Sequence, residues 1–231
     1  MSIGIVVALP EELSTLTTNK LAKGDYLALS DKILVAYAGA GSINAQAAAE
    51  LLIAQGATRL ISWGCAGALS DVLKPGDLVI ADQLISTQAL KTTTDLAWCA
   101  RVSSLLATHL TVHTGALADS THIVATQREK RQLHKQHGAL AVDMESNAIA
   151  RVAQQHQLPF IALRAIADPV TMDLSPAISY ALNAQGEVVI LKLLAYLLRH
   201  PFEIIGLLTI AKHFNAAMKT LKSVAKQLDK L

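Results

Sequence analysis

Along this chain, short apolar runs rich in β-branched residues alternate with Ala- and Leu-rich runs of helical length. This is the pattern of an α/β fold with a largely parallel sheet. The apolar runs predict strands at 3–9, 32–38, 59–64, 77–85, 114–119, 140–144 and 160–168, with helices near 43–55, 95–109, 127–137 and 145–156 between them. From about 175 the pattern is helical, with a break at "RHPFE" because Pro201 disrupts a helix interior. Beyond the break, Leu207, Ala211, Phe214, Met218, Leu221, Ala225 and Leu228 recur at steps of four and three, which makes one apolar stripe on a C-terminal amphipathic segment at about 202–231. No repeat or linker interrupts the pattern, so a single domain over 1–231 is expected.

Composition narrows the partners. Hydrophobic residues make up 52% of the chain and charged residues 16%, which excludes a disordered chain and favours extensive burial, a homo-oligomer interface included. Aromatics, at 4%, are too few for stacking on single-stranded nucleic acid, and a net charge of +2 is too small to attract a polyanion, so no nucleic-acid partner is expected. The positive charge gathers in the tail, which carries a net +4 from Arg199 onward. A helix packed on its own domain with a solvated basic face is the favoured reading of that tail; an amphipathic helix resting on an anionic membrane surface is the rival. Cys65 and Cys99 lack metal-ligand spacing, which indicates free thiols and a reducing compartment. The opening "MSIGIVVALPEEL" reads as a first strand rather than a signal peptide, and "VVILKLLAYLLRHP" is too short and too charged to span a bilayer. A cytoplasmic location is expected, or one at the inner membrane surface.

In open α/β sheets, ligands gather at the carboxyl ends of strands. Here the first strand closes in "ALPEEL", the third in "WGCAGAL", the sixth in "DMES" and the seventh in "RAIADP". Acids at three ends, with small residues including Cys65 and Gly67 at the fourth, describe a polar pocket that backbone can approach closely. Glu11 and Glu12 also suit a helix first turn. Asp143 and Glu145 share one side of an extended chain, opposite Met144, and either could instead cap the following helix. Asp168 precedes Pro169, which makes it the last residue of its strand; poorly hydrated there, it should hold its proton more tightly than in water. The "GAGSINA" run at 39–45 lacks the third glycine of a dinucleotide fingerprint, so a backbone-lined turn for close ligand approach is the milder inference. His134 and His137 lie in a charged helical run, where a solvated face outweighs a metal site. No metal is expected.

Taken together, "IGIVVALPEEL", "ISWGCAGALSDVLKPGDLVIAD", "AVDMESNAIARVA" and "PFIALRAIADP" resemble, in order over about residues 3 to 170, the signature blocks of the purine nucleoside phosphorylase and methylthioadenosine/S-adenosylhomocysteine nucleosidase superfamily. The resemblance implies a three-layer αβα sandwich around a mixed, partly barrel-like sheet, and cleavage of the N-glycosidic bond of a purine nucleoside without a cofactor. It also implies roles. Asp168 protonates the departing base, Glu145 grips the ribose hydroxyls over Met144, and Arg164 and Glu12 join Glu145 in holding an attacking water. Two departures stand out: Cys65 where the nucleosidases carry serine, and Ala167 where serine usually precedes the acid. The phosphorylases' N-terminal Gly-Asp-Pro-x-Arg loop is missing, which favours water over phosphate as nucleophile, with phosphate kept as the alternative co-substrate. The "VDMES" and "ALRAIADP" spellings, the short segment 86–100 and the tail are similar to the hopanoid-associated phosphorylase group, which implies an adenosyl-hopane substrate. A soluble methylthioadenosine/S-adenosylhomocysteine nucleosidase is the alternative enzyme, and a non-catalytic nucleoside-binding protein the alternative class.

Overall fold

The structure, a computed structural model, describes residues 2–181, 196, 199–200 and 202–231. In chain order the elements are β1 (Ile3–Val7), α1 (Pro10–Leu13), β2 (Tyr26–Ser30), β3 (Ile33–Tyr37), α2 (Ser42–Ala54), β4 (Arg59–Ala68), β5 (Leu78–Ile85), β6 (Lys91–Thr93), α3 (Leu96–Leu106), β7 (Val112–Asp119), α4 (Gln127–His137), β8 (Ala141–Asp143), α5 (Ser146–Gln155), β9 (Phe160–Asp168), α6 (Pro176–Ala181) and α7 (Glu203–Ala225). Most of the helical run expected between 182 and 201 lies outside the described residues.

Burial on both faces explains the unbroken apolar runs. Ile5 and Val7 of β1 pack on one side of the sheet with Trp98 and Val102 of α3 and Leu221 and Val224 of α7. Val6 points to the other side, toward Ala49 and Leu52 of α2 and Ile149 and Val152 of α5. A strand covered on both faces has no reason to alternate apolar with polar residues. The three layers implied by the resemblance are therefore present.

The sheet is mixed rather than largely parallel. Its order is β2-β3-β1-β4-β8-β7-β5-β6, and β9 pairs with both β4 and β5. β9 runs parallel to β4 and antiparallel to β5, while β8 runs antiparallel to β4 and parallel to β7. Strands β4, β8, β7, β5 and β9 thus close a five-stranded barrel. Periodicity reports which faces are buried, not which way a neighbour runs, so the antiparallel pairs were outside its reach. It also missed β2 and β6, two strands paired antiparallel to β3 and β5 with mostly exposed residues. β4 runs four residues past its predicted end because β9 and β8 give the Cys-Ala-Gly-Ala backbone its partners.

At the end of β9 the register slips by one. Ala66 pairs with Ile166 but Gly67 with Asp168, so Ala167 is the surplus residue of a bulge. Such an insertion re-aims the side chain that follows it.

The tail divides into two parts. In α7, Ala217, Met218, Leu221 and Val224 are buried in the core, as the packed reading expected, whereas Ile204, Ile205 and Leu208 in its first turns are exposed, as is Phe202 just before it. Among the described residues, no helix is long and apolar enough to cross a membrane. Both cysteines are free.

Candidate active site

A cavity of about 750 Å³ opens where β1, β3, β4, β8 and β9 end. Of the residues singled out in the sequence, Asp168, Glu145, Met144, Cys65 and Gly67 line it. Glu12 and Arg164 do not: both are 2% exposed and lie behind the wall. In this structure the pair stands directly behind the cavity wall, against the backbone of Cys65.

That support is specific. Glu12 Oε2 accepts the Ala8 and Leu9 amides at 3.0 Å each, and Oε1 accepts the Cys65 amide at 2.8 Å. Arg164 donates through Nη2 to Asp143 Oδ2 at 2.6 Å and to Ser62 Oγ at 2.6 Å, and its Nε reaches Ser146 Oγ at 3.2 Å. Nη1 donates to the Cys65 carbonyl at 3.4 Å. Gly64 separates the two groups, and a Cβ there would collide with the Glu12 carboxylate and Arg164 Nη1, so only glycine fits. Burial pushes the Glu12 carboxyl up, against the pull of Arg164 and its three amide donors. Burial also opposes the Arg164 charge, but Asp143, Glu145 and Glu12 together more than restore it, and the guanidinium ends above its ordinary value.

The sequence leaves Asp143 open between site and cap. It is both a cap and an ion-pair partner, since Oδ2 accepts from the Ser146 amide at 3.2 Å and meets Arg164. Because β8 stops at Asp143, strand alternation does not extend to Glu145, and Met144 lines the cavity together with both acids. Glu145 Oε1 accepts the Gly41 amide at 2.9 Å. Gly41 has φ +96°, a conformation L side chains rarely adopt, and this turn delivers its N–H. The glycine turn at 39–45 therefore serves the cavity, as the milder inference held. Burial first, then the neighbouring Asp143 charge, raises the Glu145 carboxyl well above the usual range. Burial, with Glu12 beside it, likewise keeps the Cys65 thiol protonated.

Asp168 ends β9 as Pro169 required. Burial raises its carboxyl to about 6, the direction expected, even though a cation opposes the shift. That cation was not foreseen. Lys130 of α4 is fully buried and its Nζ lies 2.7 Å from Asp168 Oδ2. It sits in the run "REKRQLHK", whose polarity marks a solvated helix, so no local signal distinguished it. Ser62, Ser146 and the cavity-lining His122, held by Glu129 at 2.7 Å, also escaped notice. In the same helix His134 Nδ1 meets the Ala139 carbonyl at 2.8 Å, a local end-of-helix contact.

Comparison with known proteins identifies the family. The family model described as the phosphorylase superfamily matches residues 2–185, and the chain belongs to that superfamily. It is an enzyme of that class, as the signature blocks implied. A 5′-methylthioadenosine/S-adenosylhomocysteine nucleosidase of Staphylococcus aureus (strain JH9) is 26% identical over 196 residues, covering 72% of this chain and 86% of the relative. Among solved structures, the nucleosidase of that name from Neisseria meningitidis, in complex with methylthio-immucillin-A, superposes with a TM-score of 0.73 at 20% identity over 100% of this chain and 99% of that one. The futalosine hydrolase of Helicobacter pylori strain 26695 gives 0.68 at 22% identity, over 100% and 98%. At those identities the structures establish the shared fold.

Proposed function

We propose that this enzyme cleaves the N-glycosidic bond of an adenine nucleoside by protonating the departing base, with water as nucleophile and a bulky apolar substituent on the 5′ side of the sugar. One observation carries the reading. Two carboxyls with raised proton affinity, Asp168 and Glu145, line a cavity whose wall, among the described residues, has no lysine or arginine. Breaking a C–N glycosidic bond builds positive charge on the sugar and negative charge on the base. Asp168, half-protonated near pH 6, donates to the base; Glu145, anchored by Gly41, accepts from the sugar hydroxyls and stabilises the developing cation. Glu12 and Arg164 act from behind by fixing both polar groups of the Cys65 backbone. A phosphate dianion entering this cavity would face Glu11, Asp143, Glu145 and Asp168, with no lysine or arginine among the described residues of the wall, and this favours water.

Ile123, Val124, Leu174 and Phe214 supply an apolar stretch of wall suited to a 5′ substituent. In its sharpest form the substituent is a hopane, a reading supported by the sequence resemblance and by the exposed Phe202, Ile204, Ile205 and Leu208, which suit contact with a lipid surface. The smaller substrates methylthioadenosine and S-adenosylhomocysteine form a second reading, supported by the Staphylococcus aureus relative. Incubation with each of the three compounds, with and without phosphate, decides between them. Adenine release with a free ribosyl product and no phosphate dependence is expected. A ribose 1-phosphate product would replace water with phosphate, and release from methylthioadenosine alone would exclude the hopane.

A further inference from the structure

Lys130 has no role in the chemistry described so far, yet it is a lysine with no solvent exposure, one turn into a markedly polar helix. A buried ammonium is expensive unless it is paired and hydrogen-bonded. Its Nζ makes three contacts: Asp168 Oδ2 at 2.7 Å, the Met172 carbonyl at 2.8 Å and the Pro169 carbonyl at 3.1 Å. The three acceptors come from residues 168 to 172, the end of β9 and the loop leaving it. The same loop is stitched to the start of α4. Asp173 Oδ1 accepts the Gln127 amide at 2.6 Å, and the Leu174 amide donates to the Ala125 carbonyl at 2.8 Å. Thr126 caps the helix by accepting the Glu129 amide at 3.2 Å. Loop, cap and lysine thus form one assembly, and it clamps the Asp168 side chain at the cavity wall.

We propose that Lys130 is a positioning residue for Asp168, fixing the acid's carboxyl at the cavity wall and supplying the positive charge that balances it once its proton has gone to the leaving base. The inference rests on the general-acid reading of Asp168. An acid buried without a counter-charge holds its proton too tightly to give it up, and the carboxylate left behind would be stranded. Lys130 meets both difficulties. It acts through Asp168, since it does not line the cavity. The other charge acting on Asp168 is Asp173, which pushes the opposite way; Glu11, Asp143, Glu145 and His122 share the cavity wall.

The test follows the Asp168 carboxyl by ¹³C NMR in the full chain as pH is varied, for the unaltered protein and for Lys130→Met and Lys130→Gln. The midpoint is expected near 6 in the unaltered protein and about one pH unit or more higher in both variants, because an opposite charge at this distance shifts a carboxyl by that order. Adenine release in the variants should show kcat lower by about 10- to 100-fold with KM little changed. The loss in kcat/KM should shrink as pH rises above about 7, since the raised midpoint keeps more of the acid protonated there. An unmoved midpoint, or an equal loss at every pH, overturns the proposal. Should neither variant fold, the Lys130 ammonium ¹⁵N signal of the unaltered protein decides: its chemical shift should change as Asp168 loses its proton, and a flat signal refutes the pairing. Failure of the unaltered protein to release adenine from any nucleoside would instead sink the general-acid reading, while the titrations still report on the pair.

Discussion

Among the described residues, two buried cations stand behind the cavity, and they are provided for differently. Arg164 has three carboxylates acting on it, from Asp143, Glu145 and Glu12, and two serine hydroxyls as further acceptors. Lys130 has one carboxylate and two backbone carbonyls. Around Arg164 negative charge is in excess and every strong donor is committed, so the cluster holds geometry. Around Lys130 a single carboxyl balances a single ammonium, and that carboxyl is free to change its protonation state without stranding more than one charge. The first region is built to stay put and the second to exchange a proton.

The contrast is broken most severely by removing the exchangeable proton. Asp168→Asn should lower kcat for adenine release by about 10²- to 10⁴-fold with KM little changed, measured by chromatography of the free base. Arg164→Met should instead act on stability, costing about 3–5 kcal/mol in urea denaturation because Asp143 loses its buried partner. If Arg164→Met folds normally and loses only kcat, the division of labour drawn here is wrong. Glu145→Gln, which keeps the shape and removes the charge, should weaken kcat/KM by an amount equivalent to about 1.5–3 kcal/mol, one charge-assisted hydrogen bond. Gly41→Ala forces a side chain into φ +96° and should cost about 1–3 kcal/mol of stability, with a secondary loss in kcat/KM as the amide donor to Glu145 shifts.

The pH dependence sharpens the same comparison. Activity needs Glu145 ionised and Asp168 protonated. Glu145, at about 7, takes up its proton at a higher pH than the one at which Asp168, at about 6, gives its own up, so the active form is a minority species at every pH and is most populated between about 6 and 7. A narrow bell in kcat/KM is expected, its limbs belonging to the coupled site rather than to either residue alone. A broad plateau from pH 5 to 9 would contradict it.

What could be read in advance divides along physical lines. Proline after Asp168 made that strand end local knowledge, and the apolar runs located seven strands because burial on two faces leaves a mark in every residue. β2 and β6 left a weaker mark because most of their residues are exposed. The barrel closure depends on β9 lying between two strands distant in sequence, which no local window records. The superfamily was legible because its four signature blocks occur together and in order. Glu12 and Arg164 stand out at strand ends in the sequence, but their place behind the wall depends on contacts across the fold, with the Cys65 amide for Glu12 and with Asp143, Ser62 and Ser146 for Arg164. Lys130 was illegible for the same reason in stronger form: what buries it is a loop more than thirty residues away along the chain.

The bulge at Ala167 carries one last implication, for how this enzyme can change over generations. Arg164 and Asp168 sit on one strand, four positions or roughly 13 Å apart, with the surplus residue between them. Losing a codon there would seat the acid where Ala167 now stands, one residue short of its lysine clamp. Drift can rewrite which small residues fill that interval, but it cannot alter how many there are.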